Sequence, residues 1–163
     1  MNNFMGAIFA LITVVSASIP APQAQPDPLT LELNNFLAEK GSPMPAEVLV
    51  QYSNWPMIVA ISAAESGYGK HLSAAYNAWG IKDFRADSSN YRGYRDFADW
   101  EEAIAYASEL LFKYDEEDGS PEPKAMVRRW KAVRPFSGWL GNVHYSLNDI
   151  QENVIAVVNP SQG

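Results

Sequence analysis

The residue in this chain best placed to do chemistry is Glu65. It ends a run in which Met57, Ile58, Val59, Ala60, Ile61, Ala63 and Ala64 are apolar, so its carboxyl is carried to the edge of a core. Desolvation there disfavours the ionised form. A carboxyl that still holds a proton at physiological pH can act as a general acid. By itself, a Glu near a helix C-terminus is an ordinary solvent-facing residue. Two neighbouring features argue for more. Gly67 and Gly69 frame the position, so the chain turns sharply and leaves room for a ligand. Tyr68, Tyr76, Trp79, Tyr91, Tyr94 and Phe97 then follow in a short stretch. Aromatic faces are platforms for sugar rings, whose C–H faces are apolar while their hydroxyls seek polar neighbours.

The elements that must position these groups read as helices. Leu29 to Glu39 has apolar residues at Leu29, Leu31, Leu33, Phe36 and Leu37, closed by Gly41 and Pro43. Pro45 to Tyr52 reads as a second, short helix. Ser53-Asn54 caps a third, with Pro56 in its first turn. This helix is apolar on nearly all faces, which predicts burial, and it leads straight into Glu65. Asp99 opens another, with Glu102 as a capping-box partner and Ala103, Ile104, Ala107, Leu110 and Leu111 as its apolar stripe. Asp115 to Gly119 reads as a solvated acidic loop. Ser120-Pro121 starts a helix through Met126, Val127, Trp130 and Val133, and Ser146 with Asp149 starts the last, through Val158. Between Lys82 and Phe97, the aromatic, glycine-broken segment Asn90 to Phe97 predicts a short β-hairpin or an extended lobe. The class is mainly α, in the α+β sense.

A chain of 163 residues, 47% apolar and 19% charged, suits one globular domain. The absence of cysteine excludes disulfides, Cys-ligated zinc, iron–sulfur clusters and thiol nucleophiles. A net charge of -7 makes nucleic acid a poor partner. Residues 1–26 carry no charged side chain. Phe4 to Ile19 is an apolar run of sixteen residues, short of the ~20 that span a bilayer, and Pro20 and Pro22 stop any helix. Small residues follow where a signal peptidase could cut, so residues 1–24 read as a signal peptide or an N-terminal anchor. Residues 4–19 would then serve as a membrane tether, and 25–30 as a linker.

Glu65-Ser66-Gly67-Tyr68-Gly69-Lys70, followed by Asn77-Ala78-Trp79-Gly80-Ile81-Lys82, resembles the pattern of bacterial N-acetylglucosaminidases of the autolysin and flagellar-muramidase type, in the lysozyme-like superfamily. Tyr91 to Phe97 and the helix beginning at Asp99 resemble the family's continuation, with a weaker echo from Trp139 to Val158. The resemblance implies a lysozyme-like glucosaminidase domain over residues 31–160. It also implies cleavage of a β-1,4 bond between amino sugars in peptidoglycan, with no cofactor. It puts the general acid on Glu65 and gives substrate-binding roles to Ser66, Tyr68, Asn77, Trp79, Gly80, Tyr94 and Tyr145. The expected partner is the glycan strand, the expected form a monomer. The expected location is secreted or periplasmic, or on a virion.

Two-carboxylate hydrolysis needs a second group, at ~5–5.5 Å for retention or ~6.5–9.5 Å for inversion. The family expects it on a β-lobe. No Glu lies between Glu65 and Glu101, and the acids available are Asp83, Asp87, Asp96 and Asp99. Asp99 reads as a cap, which leaves Asp96 and Asp83 as candidates. A lytic transglycosylase, in which one carboxyl serves as acid and then base, needs neither. An inactive glycan-binding or assembly protein is the third reading. His71 and His144 lack metal-site spacing, and neither a phosphate loop nor a Gly-x-Ser-x-Gly elbow occurs. Arg128, Arg129, Lys131 and Arg134 form a basic cluster, read as a solvated helix face that could meet peptide carboxylates of the substrate.

Overall fold

The computed structural model describes residues 27–83, 93–131 and 134–160. The expected signal peptide or anchor therefore lies outside the described residues, as do Asp87 and Tyr91. The described chain is mainly helical: α1 (Pro28–Lys40), α2 (Ala46–Leu49), α3 (Trp55–Ser66), α4 (Trp100–Phe112), α5 (Pro123–Trp130), α6 (Ser137–Ile150) and α7 (Ala156–Val158). No helix among the described residues is long and apolar enough to cross a membrane.

Helix α1 starts earlier than its apolar spacing suggests. Asp27 accepts the N–H groups of Leu29 and Thr30 at 3.0 and 3.2 Å, so residues 28–30 form a helical turn instead of a linker. Thr30 Oγ1 also donates to the Asp27 carboxylate. These bonds hold the Asp27 carboxyl below the ordinary carboxylate range, the Thr30 hydroxyl contributing most. Gly41, with φ of 68°, closes the helix as expected.

Helix α3 is the centre of the molecule, packed against α4 and α6. Ile58, Val59, Ala60 and Ile61 are wholly buried, matching its all-round apolar character. Each of the larger three contributes about 1.5–3 kcal/mol by leaving water. Asn54 precedes α3, but its side chain makes no capping bond. Its amide instead donates to the carbonyls of Ser108 and Gly119 at 3.3 and 3.2 Å and accepts the Ser108 hydroxyl at 2.9 Å. The start of α3 is thus tied to α4 and to the end of the acidic loop. That loop is only partly solvated: Glu116 to Asp118 are exposed and Gly119 is buried.

Helix α4 has the expected cap. Asp99 accepts Glu102 N–H at 2.8 Å, and the Glu102 carboxylate reaches back to Ala98 N–H at 2.7 Å. Helix α5 begins at Pro123 rather than at Ser120, because Pro supplies a helical φ without needing a hydrogen-bond partner. It ends at Trp130, where Lys131 turns extended; Val133 lies outside the described residues. Helix α6 begins at Ser137, nine residues before the expected start at Ser146. Its register continues through a π-helical turn, Gln151–Ile155. There the Asn153 amide occupies the Asp149 carbonyl at 3.2 Å, which competes with the ordinary backbone bond.

Among the described residues, the expected β segment shows one antiparallel bridge, Lys82 with Tyr94. It is flanked by Asp83 N–H to Gly93 O and Arg95 N–H to Ile81 O, both at 3.0 Å. No strand occurs among the described residues. Residues 90–92 of the expected segment, Asn90 to Phe97, lie outside them.

Candidate active site

The end of α3 is made by a left-handed turn. Gly67, Tyr68 and Gly69 have φ of 61°, 65° and 81°, and Ser66 fastens them by donating to Ser62 O and accepting Gly69 N–H, both at 2.9 Å. Ser66 is therefore a buried structural residue. Gly69 does not leave room for a ligand. A Cβ there would lie 3.4 Å from Pro43 and 3.5 Å from Trp100, which fill the space. Tyr68 turns away from Glu65: its hydroxyl meets Ser146 Oγ at 2.6 Å and its ring packs edge-on against Phe36.

Glu65 itself faces a cleft of about 460 Å³. One wall is Trp79 to Lys82 with Tyr94; the other is Tyr106, Leu110 and Tyr114 with Arg129, Trp130 and Lys131. Asn77 holds the first wall from beneath. It is wholly buried, donates to Ile81 O and Arg95 O at 2.9 and 2.8 Å, and accepts Ile81 N–H at 3.0 Å. Its amide thus joins the two segments that form the bridge, and it acts through the backbone instead of on a ligand. Trp79 is anchored by its indole N–H to Ile58 O at 2.9 Å and is 2% exposed, so it is chiefly core with one edge at the cleft.

The Glu65 carboxyl is held asymmetrically. Oε1 accepts two indole N–H groups, from Trp139 at 2.7 Å and Trp130 at 3.0 Å. Two donors occupy both lone pairs of that oxygen, which leaves Oε2 as the oxygen not engaged by the indoles. Oε2 lies 3.8 Å from where a Gly80 Cβ would stand, and that same point is 3.9 Å from the Tyr94 ring. Gly80, at φ of 65°, lets the wall turn without a side chain beside Oε2. The arrangement can deliver a proton from Oε2 to an atom in the cleft while Oε1 stays fixed.

Glu65 is the only carboxylate lining the cleft among the described residues. Asp83 does not line it; its carboxylate meets the Arg95 guanidinium at 3.0 Å, and Arg95 also reaches Glu102 at 3.3 Å. Asp96 is taken by Ala75 N–H at 2.9 Å. Tyr145 projects from α6 into solvent, 69% exposed, and is absent from the lining. The structure thus brings together Glu65, Trp79, Gly80 and Tyr94 of the expected site residues. It leaves Ser66, Tyr68, Asn77, Asp83, Asp96 and Tyr145 outside the lining. It adds Tyr106, Tyr114, Trp130 and Trp139, of which Trp139 touches Glu65 without lining the cleft. No group of three or more His, Asp or Glu residues among those described is arranged to hold a metal ion.

Comparison of the chain with protein-family models, with curated proteins and with solved structures finds no match.

Proposed function

We propose that this protein is a lysozyme-like, peptidoglycan-cleaving glycosidase that hydrolyses β-1,4 bonds between amino sugars, with Glu65 as general acid. The observation that carries the reading is the Glu65 carboxyl, anchored through one oxygen by two indoles with the other oxygen facing an aromatic-walled cleft. Such a cleft suits a saccharide, and a fixed carboxylic acid suits protonation of a glycosidic oxygen as an oxocarbenium-like state develops. The resemblance of Glu65 to Lys70 and Asn77 to Lys82 to bacterial N-acetylglucosaminidases supports the substrate class.

A second reading is favoured by one feature: Glu65 is the sole carboxylate of the cleft among the described residues. A lytic transglycosylase uses a single carboxyl, first as acid and then as base, while a hydroxyl of the substrate closes an anhydro ring. Purified protein incubated with peptidoglycan should release soluble muropeptides, and Glu65→Gln should slow release by about 10²–10⁴-fold. New reducing ends mark hydrolysis; 1,6-anhydro ends mark transglycosylation. Equal release by the two proteins would overturn both enzyme readings, and binding without release in either would point to a glycan-binding protein.

A further inference from the structure

We propose that Arg95 is a positioning residue that ties the two walls of the cleft together and sets the spacing at which they grip a glycan strand, which rests on the glycosidase reading of the same cleft. The walls come from different parts of the chain. Trp79 to Lys82 and Tyr94 belong to the segments joined by the bridge, whereas Tyr106 and Leu110 belong to α4. Arg95 is not itself among the residues that line the cleft. Its backbone is built into the first wall: its N–H donates to Ile81 O at 3.0 Å, and its carbonyl accepts the Asn77 amide at 2.8 Å. Its side chain reaches the second.

The guanidinium makes three kinds of contact at once. Nη1 donates to Asp83 Oδ2 at 3.0 Å, directly after Lys82 of the first wall. Nη2 donates to Glu102 Oε1 at 3.3 Å, in the first turn of α4. Its central carbon lies 4.4 Å from the centroid of the Tyr106 ring, one turn farther along α4, and 5.2 Å from that of Phe97. Those two rings are themselves 5.6 Å apart, so the cation covers an aromatic pair. The Arg95 and Asp83 side chains are only 15% and 9% exposed, which shields their pairing from solvent. A planar guanidinium can stack through its face while it donates from its edge, and an ammonium cannot do both. Tyr106 is therefore held in the second wall by a group rooted in the first. The anchoring of Glu65 is separate, because its two indoles come from α5 and α6. Loosening Arg95 thus weakens the grip on the strand and leaves proton delivery intact.

Steady-state kinetics of the full-length protein on soluble peptidoglycan strands test this, with thermal melts to verify that each variant is folded. Arg95→Lys keeps the charge and loses the stacked plane. It should raise KM about tenfold and leave kcat and its pH profile unchanged. Glu102→Gln can still accept Ala98 N–H through its amide oxygen but no longer pairs with Arg95 as an anion, so KM should rise about threefold. In a Tyr106→Leu background, Arg95→Lys should raise KM by about twofold or less, because the ring that it places is gone. Wild-type KM in both Arg95→Lys and Glu102→Gln would overturn the proposal and leave the glycosidase reading standing. So would a fall in kcat at constant KM, or an equal KM penalty with and without the Tyr106 ring. Should Arg95→Lys not fold, the KM of Glu102→Gln decides alone. Absence of turnover by the wild-type protein would overturn the glycosidase reading and the role of Arg95 with it.

Discussion

At the scale of the residue, the important asymmetry is between the two oxygens of Glu65. Trp130 and Trp139 both donate to Oε1, and only Trp130 also lines the cleft. On the proposed glycosidase reading, Trp139 is a positioning residue that acts through the carboxyl. Trp139→Phe keeps a ring in the core and removes one N–H donor, so the carboxyl gains freedom to rotate. We expect kcat on peptidoglycan to fall about tenfold, the equivalent of one charge-assisted hydrogen bond, with KM unchanged. Trp130→Phe should raise KM as well, because that ring is also part of the wall. Steady-state kinetics on a soluble fragment, with thermal melts to verify folding, distinguishes the two. Glu65 itself was legible in the sequence because an acid near the end of a helix apolar on nearly all faces conflicts with its surroundings. The indoles were not. Their separations from Glu65, 65 and 74 residues, leave no local spacing to read, and each Trp looks like one more apolar position on its own helix. The available signal was chemical: a mostly buried indole N–H must find an acceptor.

At the scale of the element, helices whose boundaries rest on local chemistry were the ones sequence could locate. Asp99 with Glu102, Gly41 and Gly67 mark ends through short-range bonds, and the structure uses all of them. Asn54 looked like a cap and is instead a long-range clasp to Ser108 and Gly119, which no local pattern reveals. The start of α6 was hidden by Gly138 and Gly141, which lower helix propensity although Trp139, Val143, Ser146 and Ile150 keep a helical face. The glycines of these two places should respond in opposite directions to the same substitution. A Cβ on Gly119, at φ of 67°, would lie 2.6 Å from the Asn54 amide and 3.0 Å from the Phe112 ring. At Gly141 a Cβ meets nothing within 4 Å. Gly119→Ala should cost about 2–4 kcal/mol from backbone strain and overpacking. Gly141→Ala should add about 0.5–1 kcal/mol through helix propensity. Urea denaturation at constant m-value measures both.

At the scale of the whole molecule, the face of α6 that meets α1 and the end of α3 is held by polar contacts separate from the cleft. Lys40 of α1 pairs with Asp149 of α6 at 2.8 Å, and Tyr68, just past α3, bonds Ser146 of α6 while its ring lies on Phe36 of α1. Because α6 also carries Trp139, this clasp fixes the frame in which Glu65 is anchored. Lys40 and Tyr68 have their protonated forms favoured by folding. The hydrogen bond to Asp149 is the main cause that lifts Lys40 above the ordinary lysine range, against some desolvation. Burial lifts Tyr68 above the ordinary tyrosine range, partly offset by the Ser146 hydroxyl. For a group whose folded value is raised, the stabilisation is complete below the unfolded value and disappears as pH climbs through the folded one. Both contributions are therefore intact at neutral pH and decline together from about pH 10 upward. The melting temperature should fall over that alkaline range. Lys40→Met should start lower at neutral pH and fall less steeply, since one of the two titrations is gone, and Tyr68→Phe should likewise flatten the decline. A wild-type melting temperature that stayed level from neutrality to beyond pH 11, or a Lys40→Met curve parallel to it, would show that the clasp does not hold α1, α3 and α6 together.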